Sequence, residues 1–342
     1  MLSASFRITV RMSSELVSAC HRNTQLVPAY NEQDNIMRLY EALSAYVGGG
    51  SFPYSLELLF VDDGSTDKTI ELIRRIEASD ERVRGLQLSR NFGKEVAIVA
   101  GLDFAKGDAV ILMDADLQHP ISAIGEMTKL WELGYQDVYG KRTTRHGESW
   151  FKVLSSNLYY KFLNKLTKTQ ILANVGDFRL LDRQVVDALI QLRESGRYTK
   201  GLYEWVGYRK AQFEFEAAER NDGGESKWRF GQLVRLAIDG ITSYTIFPLQ
   251  ISAIIGFLVS AAAFTYLVII VAQAIIGGIT HSGIPTIIVL VLFLGGIQLM
   301  SLGILGEYLG RIFMEAKGRP LYFINEQTAD ISTEDRDLGE SE

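Results

Sequence analysis

Apolar and polar positions in the first two thirds of the chain alternate between short apolar runs and stretches with helical spacing. The apolar runs Leu56–Val61, Val83–Leu88 and Ala109–Met113 have the length and composition of buried strands. Helical spacing follows each run, at Asp67–Ala78, Lys94–Ala105 and Pro120–Leu133, and a short strand is predicted at Gln136–Tyr139. Such alternation predicts an α/β fold, in which helices cover a parallel sheet and ligands bind at the carboxyl ends of the strands.

The segment before these strands fits the pattern less well. A strand should lead into Pro28, but residues 21–25 are polar, and only Leu26 and Val27 are apolar. Two alternatives stay open, a very short strand or an N-terminus that departs from the pattern. Residues 1–24 are therefore left unassigned.

The last third of the chain has a different pattern, because residues 241–306 contain no Asp, Glu, Lys or Arg. A membrane-spanning helix needs about 20 apolar residues. The pattern predicts two spans, from about Phe247 to Ile276 and from about Ile284 to Gly306, joined by the polar hinge 277–283. Buried core helices of a soluble protein are the alternative, but such helices rarely run this far without a charge.

Basic residues flank the two predicted spans but are missing from the hinge between them. They are Lys227, Arg229 and Arg235 before the first span, and Arg311, Lys317 and Arg319 after the second. The positive-inside rule then predicts that both termini are cytosolic. No apolar h-region opens the chain, so no signal peptide is expected.

Charge and cysteine content exclude several function classes. The chain has a formal net charge of -6 and a single cysteine, Cys20. One cysteine excludes a disulfide framework and a Cys-rich zinc site, and the acidic balance argues against a nucleic-acid-binding surface. The sequence has no G-x-G-x-x-G and no G-x-x-x-x-G-K-[ST] motif, which argues against a dinucleotide enzyme and a P-loop NTPase.

An acidic cluster follows the third predicted strand. Asp114, Asp116 and Gln118 alternate along the turn, so two carboxylates and an amide share one side of it. Hard oxygen ligands of this kind suit Mg²⁺ or Mn²⁺, which also bind substrate phosphates. The alternative is a helix N-cap before Pro120.

A second acidic cluster follows the first of these strands. Asp62 and Asp63 are adjacent, and two acids exceed what a turn requires. Hydrogen bonding to a nucleobase or ribose is one interpretation. A turn followed by an N-cap at Asp67 is the other.

Six motifs, taken in order, resemble family 2 glycosyltransferases of the GT-A fold. They are Pro28-Ala29-Tyr30-Asn31-Glu32, Val61-Asp62-Asp63-Gly64-Ser65, Asn91-Phe92-Gly93-Lys94, Asp114-Ala115-Asp116-Leu117-Gln118, Gly176-Asp177-Phe178-Arg179-Leu180 and Gly224-Glu225-Ser226-Lys227-Trp228. The last two narrow the resemblance to the polyprenyl-phosphate branch, similar to dolichol-phosphate mannose synthase. Two spans that end in Leu305–Arg311 resemble bacterial and phage bactoprenol glucosyltransferases. The resemblance covers about Leu26 to Tyr322, and the acidic tail Asp330–Glu342 departs from it.

Pattern and resemblance together predict the domain organisation. A GT-A (Rossmann-like) cytosolic domain is expected over 25–225, an amphipathic juxtamembrane helix over 226–244, a two-helix transmembrane domain over 245–306 and a cytosolic segment over 307–342. A helix packed on the cytosolic domain is the alternative for 226–244. The implied location is the bacterial inner (cytoplasmic) membrane, as a multi-pass protein.

The resemblance implies roles for individual residues. Donor-binding residues would be Pro28, Tyr30, Glu32, Asp63, Asp114 and Arg142, with Tyr30 stacking on the base and Glu32 accepting from ribose. Asp114, Asp116 and Gln118 would hold Mg²⁺ or Mn²⁺, and Arg179, Arg220 and Lys227 would bind the acceptor phosphate. The catalytic residues would be Asp116 and Asp177. Asp177 is either a general base or an orienting group, because a phosphate monoester with a second pKa near ~6 is already mostly dianionic at neutral pH.

The activity that the resemblance implies is inverting, metal-dependent transfer of a hexose to undecaprenyl phosphate. Glucose from UDP-glucose is the closest match, and the product would be a β-linked lipid-phosphate sugar for cell-surface glycan modification. A mannosyl- or aminosugar-specific transferase and an inactive sugar-nucleotide binding protein are the alternatives. Expected partners are the nucleotide sugar, the lipid phosphate and the membrane, with a homo-oligomer left open and no nucleic acid.

Overall fold

The computed structural model describes residues 22–49, 52–142, 175–197, 199–215, 247–277 and 283–327. These residues divide into two units, one made of residues 22–215 with 320–327, and the other of residues 247–319. The amphipathic helix predicted over 226–244 lies outside the described residues.

The first unit is an α/β domain. Its strands are β1 (Arg22–Ala29), β2 (Ser55–Asp62), β3 (Val83–Leu88), β4 (Ala109–Leu112), β5 (Asp137–Arg142), β6 (Val175–Asp182), β7 (Lys210–Phe215) and β8 (Ile324–Gln327). Its helices are α1 (Gln33–Gly48), α2 (Thr69–Glu77), α3 (Lys94–Phe104), α4 (Ala123–Glu132), α5 (Arg183–Ile190) and α6 (Thr199–Trp205). The predicted α/β fold is confirmed.

All eight described strands belong to one sheet, in the order β7-β5-β6-β4-β1-β2-β3-β8. Strands β4, β1, β2 and β3 are parallel, as strand–helix alternation predicts. Strand β6 runs antiparallel to both β4 and β5, and β8 runs antiparallel to β3. The sheet is therefore mixed, because β6 and β8 enter it from the opposite direction.

Strand β1 corrects the interpretation of the polar segment that opens the domain. It spans eight residues in the middle of the sheet, between β2 and β4, and its polar residues Asn23, Thr24 and Gln25 are buried. Thr24 Oγ1 donates to Glu57 Oε2 at 2.6 Å, and Gln25 Nε2 donates to the Ile111 carbonyl at 3.1 Å. Partners across the sheet therefore satisfy Thr24 and one end of the Gln25 amide, whereas the amide of Asn23 has no hydrogen-bond partner among the described residues.

The core lies on both faces of this sheet. Helices α1, α2 and α4 cover one face, and α3, α5 and α6 cover the other. Side chains alternate along β6, so that Phe178 and Leu180 join the first core and Leu181 joins the second. Asp177 and Arg179, which share the parity of Leu181, therefore lie on the α3–α5–α6 face.

The second unit contains α7 (Phe247–Gly277) and α8 (Ile284–Ala316). Both helices have a stretch long and apolar enough to cross a membrane, Phe247–Ile270 and Phe293–Ala316, and neither stretch is buried. Ser252 Oγ lies 2.6 Å from Ser301 Oγ, which joins the two helices. Helix α8 continues past Gly306, the end predicted for the second span.

After α8 the chain returns to the first unit. Ser89 N–H donates to the Phe323 carbonyl at 2.8 Å, and β8 then pairs with β3. The Tyr322 hydroxyl donates to Asp103 Oδ2 at 2.6 Å, and the Arg193 guanidinium bonds both oxygens of Asp103 at 2.7 and 2.9 Å. The segment expected only as a cytosolic extension thus completes the edge of the sheet.

Candidate active site

Loops at the carboxyl ends of β1, β2 and β4 surround a pocket of about 270 Å³. The predicted site residues that line it are Pro28, Tyr30, Glu32, Asp63, Asp114 and Asp116. Asn91, Gly93 and Lys94 complete much of the remaining wall. The ring of Tyr30 is 45% exposed, so it offers an open aromatic face to a ligand.

The loops after β1 and β2 hold one another in place. Asn31 has a positive φ of 54°, and its Oδ1 accepts the N–H of Thr66 at 2.9 Å. Its own N–H donates to Ser65 Oγ at 2.9 Å. A non-glycine residue in this conformation costs about 1–2 kcal/mol, which these hydrogen bonds help to offset. The arrangement fixes the residues on either side, Tyr30 and Glu32.

Asp63 holds the loop that precedes α3. Its Oδ1 accepts the N–H of Phe92, and its Oδ2 accepts the N–H of Gly93, both at 2.8 Å. Gly93 has φ 98°, which favours glycine, and the next residue is Lys94. Burial raises the pKa of Asp63 above its usual value, although both N–H groups act in the opposite direction. The contact expected between Asp63 and a base stays a prediction.

The turn after β4 is closed by two side chains. Asp116 Oδ1 accepts the N–H of Gln118 at 3.1 Å, and His119 Nδ1 accepts the N–H of Asp114 at 3.3 Å. Leu117, between them, has a positive φ of 59°. Possible ligand atoms of Asp114, Asp116 and His119 all lie within 4.8 Å of one another. The turn therefore gathers two carboxylates and an imidazole at the pocket.

This donor set suits a hard divalent cation through its carboxylates. His119 Nδ1 is an acceptor here, so the ring proton is on Nε2, and burial lowers the pKa of His119. The ring also stacks on Phe178, with 4.4 Å between ring centroids. In this arrangement His119 braces the turn, while the carboxylates of Asp114 and Asp116 fit Mg²⁺ or Mn²⁺. Sequence reasoning missed His119, although it directly follows the motif.

Gln118 contacts Arg142 in this structure. The residue is 7% exposed, and its Oε1 accepts from Arg142 Nη2 at 2.9 Å. Its role as a metal ligand stays a prediction. Arg142 is thereby held beside the turn, at the end of β5.

Asp177 reaches the pocket through the register of β6. The antiparallel pairing opposes Leu112 to Arg179, which brings Asp177 beside Asp114. Lys94 Nζ lies 2.7 Å from Asp114 Oδ1 and 2.9 Å from Asp177 Oδ2. The other oxygen of Asp177 is buried and has no hydrogen-bond partner within the part of the chain that the structure describes.

The ion pairs of Lys94 determine the charge of Lys94 and of Asp177. Burial alone would lower the pKa of Lys94, but Asp114 and Asp177 outweigh it and raise the pKa. Burial would raise the pKa of Asp177, and Lys94 outweighs it and lowers the pKa. Lys94 is therefore an ammonium, and Asp177 a carboxylate, at neutral pH.

Arg179 lies beneath the pocket rather than in it. Its side chain is 2% exposed, its Nη1 lies 3.0 Å from Asp137 Oδ2, and its guanidinium is 3.5 Å from the centroid of Tyr203. The guanidinium of Arg179 is therefore buried on a carboxylate partner, and its contact with a lipid phosphate stays a prediction. Arg220 and Lys227, the other predicted phosphate ligands, lie outside the described residues.

Glu95 is a site residue that sequence reasoning missed. Its Oε2 accepts the hydroxyl of Thr199 and the Thr199 N–H, the latter at 3.2 Å, which ties α3 to α6. Burial, with the nearby charge of Asp177, raises the pKa of Glu95 to about 7. The only signal in the sequence was its place directly after Lys94.

Comparisons with known proteins identify the family of this chain. The model of glycosyl transferase family 2 matches residues 24–190. The chain is 41% identical over 301 residues to an uncharacterized glycosyltransferase of Synechocystis, covering 88% of this chain and 94% of that protein. It is 40% identical over 302 residues to the bactoprenol glucosyl transferase of Shigella phage SfV, covering 88% of this chain and 97% of that protein.

Solved structures were also matched, at low sequence identity. Glucosyl-3-phosphoglycerate synthase from Mycobacterium tuberculosis, in complex with Mn²⁺, UDP-glucose and phosphoglyceric acid, gives a TM-score of 0.43 and 21% identity. The match covers 67% of this chain and 80% of that chain. By its family model and its relatives, this chain belongs to glycosyl transferase family 2 and is a glycosyltransferase.

Proposed function

We propose that this enzyme transfers a hexose, glucose from UDP-glucose, to undecaprenyl phosphate at the cytosolic face of the membrane. The observation that carries the proposal is the extent of the match to the phage bactoprenol glucosyl transferase. Its 302 residues exceed the whole of 22–215, so the match must include part of the chain beyond the α/β domain. A lipid acceptor gives a reason for that shared part.

The donor would occupy the pocket at the carboxyl ends of β1, β2 and β4. Tyr30 would stack on the base, Glu32 would accept from ribose, and Arg142 would contact phosphate. The carboxylates of Asp114 and Asp116 would hold Mg²⁺ or Mn²⁺. The cation supplies positive charge that neutralises the leaving nucleoside diphosphate.

The acceptor phosphate would approach beside Asp177. A phosphate monoester is mostly dianionic at neutral pH, since its second pKa is about 6. Asp177 has a lowered pKa, which makes it a weak base. We therefore assign Asp177 to orienting the acceptor rather than to removing a proton.

The reaction would be a direct displacement. A phosphate oxygen of the lipid forms a bond to the anomeric carbon while the bond from that carbon to the diphosphate oxygen breaks. Attack opposite the leaving group inverts the anomeric configuration and gives a β-linked product from an α-linked donor. The electron pair of the broken bond leaves with UDP.

The two apolar helices would place the enzyme in the bacterial inner membrane, with both termini in the cytosol. The support is the lysine and arginine asymmetry across the spans and the return of the chain to the sheet after α8. Cysteine at Ser282 should then react with an impermeant thiol reagent from the periplasmic side of intact cells. Labelling only in broken cells would reverse the topology.

Transfer itself is tested with the full chain in membranes, supplied with undecaprenyl phosphate and a panel of UDP- and GDP-sugars. We expect labelled lipid with UDP-glucose, and none with the Asp116→Asn variant. Labelled lipid with another sugar alone would replace glucose in the proposal. Nucleotide binding without any lipid product would favour an inactive sugar-nucleotide binding protein.

A further inference from the structure

Lys94 stands between the two sides of the active site. Its ammonium contacts Asp114, a carboxylate proposed to hold the cation, and Asp177, the carboxylate beside the acceptor position. The distances of 2.7 and 2.9 Å are those of charge-assisted hydrogen bonds. One positive charge is thus shared by two carboxylates that the proposed reaction uses separately.

The backbone holds Lys94 in this position. Lys94 is the first residue of α3, and the preceding residues Phe92 and Gly93 donate both N–H groups to Asp63. The start of the helix therefore cannot shift without breaking two hydrogen bonds. These bonds fix the backbone at Lys94, and the two carboxylates hold the ammonium of a side chain that is 45% exposed.

The ammonium and a divalent cation cannot both bind Asp114 Oδ1 equally well. Two cations on one carboxylate repel each other, and the repulsion is strong at separations of about 4 Å. The divalent ion must therefore displace the ammonium from Asp114 or bind against its charge. Asp177 offers the displaced ammonium a second partner at 2.9 Å.

We propose that Lys94 is a positioning residue that stands in for the divalent cation on Asp114 until the metal binds, and then remains on Asp177. Binding of the metal on the donor side is then coupled to the charge around Asp177 on the acceptor side. The inference rests on the proposed function only in taking Asp114 and Asp116 as the carboxylates that hold the donor's metal.

The test is the binding of Mn²⁺ alone, measured by the electron paramagnetic resonance signal of the free ion with the full chain in detergent. Lys94→Met removes the competing charge, so Mn²⁺ should bind on the order of tenfold more tightly. Lys94→Arg keeps a cation in place and should bind Mn²⁺ like the unsubstituted chain. Unchanged or weaker binding in Lys94→Met would overturn the inference.

Two further variants act as controls. Lys106→Met makes the same change of charge at an exposed residue before the amino end of β4, and its Mn²⁺ affinity should stay within about twofold of the unsubstituted chain. Asp114→Asn should weaken Mn²⁺ binding by at least about tenfold, since one ligand charge is lost. Full affinity in Asp114→Asn would overturn the inference, because the metal would then bind elsewhere.

Transfer assays separate this inference from the proposed function. Lys94→Met should bind Mn²⁺ more tightly and yet transfer sugar more slowly, because Asp177 has lost its partner. Tighter Mn²⁺ binding in Lys94→Met, in a chain that glycosylates no undecaprenyl phosphate, would refute the proposed acceptor and leave the role of Lys94 standing.

Discussion

In the parallel half of the sheet, made of β4, β1, β2 and β3, the pocket residues Tyr30, Asp63 and Asp114 follow the carboxyl ends of strands. In the mixed half, made of β6, β5 and β7, Asp177 and Arg179 lie within a strand. A loop can place a side chain in many positions, whereas the position of a strand side chain is fixed by the register of the strand and the face on which it lies. The parallel half thus forms the pocket, and the mixed half adds Asp177 beside it, in contact with Lys94.

The difference also appears in what the charged residues contact. Asp114 and Asp116 lie at the pocket, partly exposed. Arg179 and Asp137 form a pair in which each side chain is at most 2% exposed. We therefore expect substitutions of Asp114 and Asp116 to change catalysis, and substitutions of Arg179 and Asp137 to change stability.

The largest effect is expected for Asp116→Asn. A metal-neutralised leaving group contributes several kcal/mol, so transfer should fall by about a thousandfold or more. Unfolding by denaturant should change little, because the side chain lies at the rim of the pocket. Transfer that survives both this substitution and EDTA would show that the parallel half does not bind a catalytic metal.

Arg179→Ala should have the opposite effect and lower stability more than it lowers transfer. Removing the nearer cation of a buried ion pair leaves Asp137 with the more distant Lys210, whose Nζ lies 3.5 Å from Asp137 Oδ2, and should cost about 3 kcal/mol in the free energy of unfolding. Urea unfolding of the detergent-solubilised chain measures it, with Arg193→Ala as a matched control at a more exposed ion pair. A stable Arg179→Ala variant with weak use of the lipid phosphate would restore the direct contact predicted from the sequence.

The pH dependence of stability should reveal the raised pKa of Glu95. Its pKa is raised to about 7 in the folded chain, so the folded state binds the extra proton and stability falls as pH rises from about 4.5 to about 7. Glu95→Gln should remove that slope and stabilise the chain at pH 8 by about 2 kcal/mol relative to Glu95. Parallel stability curves for the two chains would contradict the assignment.

The smallest effect is expected for Tyr322→Phe, which removes the hydroxyl that donates to Asp103. The loss should be about 1 kcal/mol in the free energy of unfolding, because Arg193 still satisfies Asp103. Tyr208→Phe is a matched control, because Tyr208 packs against the same core as Tyr322. Equal losses in both variants would mean that the contact of Tyr322 with Asp103, made where the chain returns after α8, gives the parallel half no specific stability.

The sequence predicted the parallel half well, since an apolar run followed by acidic residues is a local pattern. Strand β1 was the exception, because the partner that lets Thr24 be buried, Glu57, is distant in the chain. The mixed half was harder, because nothing local shows that β6 enters antiparallel between β4 and β5. That register decides that Asp177 reaches the pocket and that Arg179 does not.

Within the site, the turn after β4 has contacts that spacing did not suggest. Alternation along an extended chain would place Gln118 with Asp114 and Asp116. Leu117 has a positive φ, which no hydropathy pattern predicts, Gln118 Oε1 accepts from Arg142, and His119 Nδ1 accepts the N–H of Asp114. The motif thus located the candidate metal-binding turn but not its internal geometry.

The position of β8 has a consequence for the order of synthesis. The strand that closes the edge of β3 leaves the ribosome only after both α7 and α8 have been made. Until then the nascent α/β domain presents the outer side of β3 as an open edge, which is the kind of surface on which strands from other chains pair. The catalytic domain is therefore completed late in biosynthesis, after the two apolar helices have been synthesised.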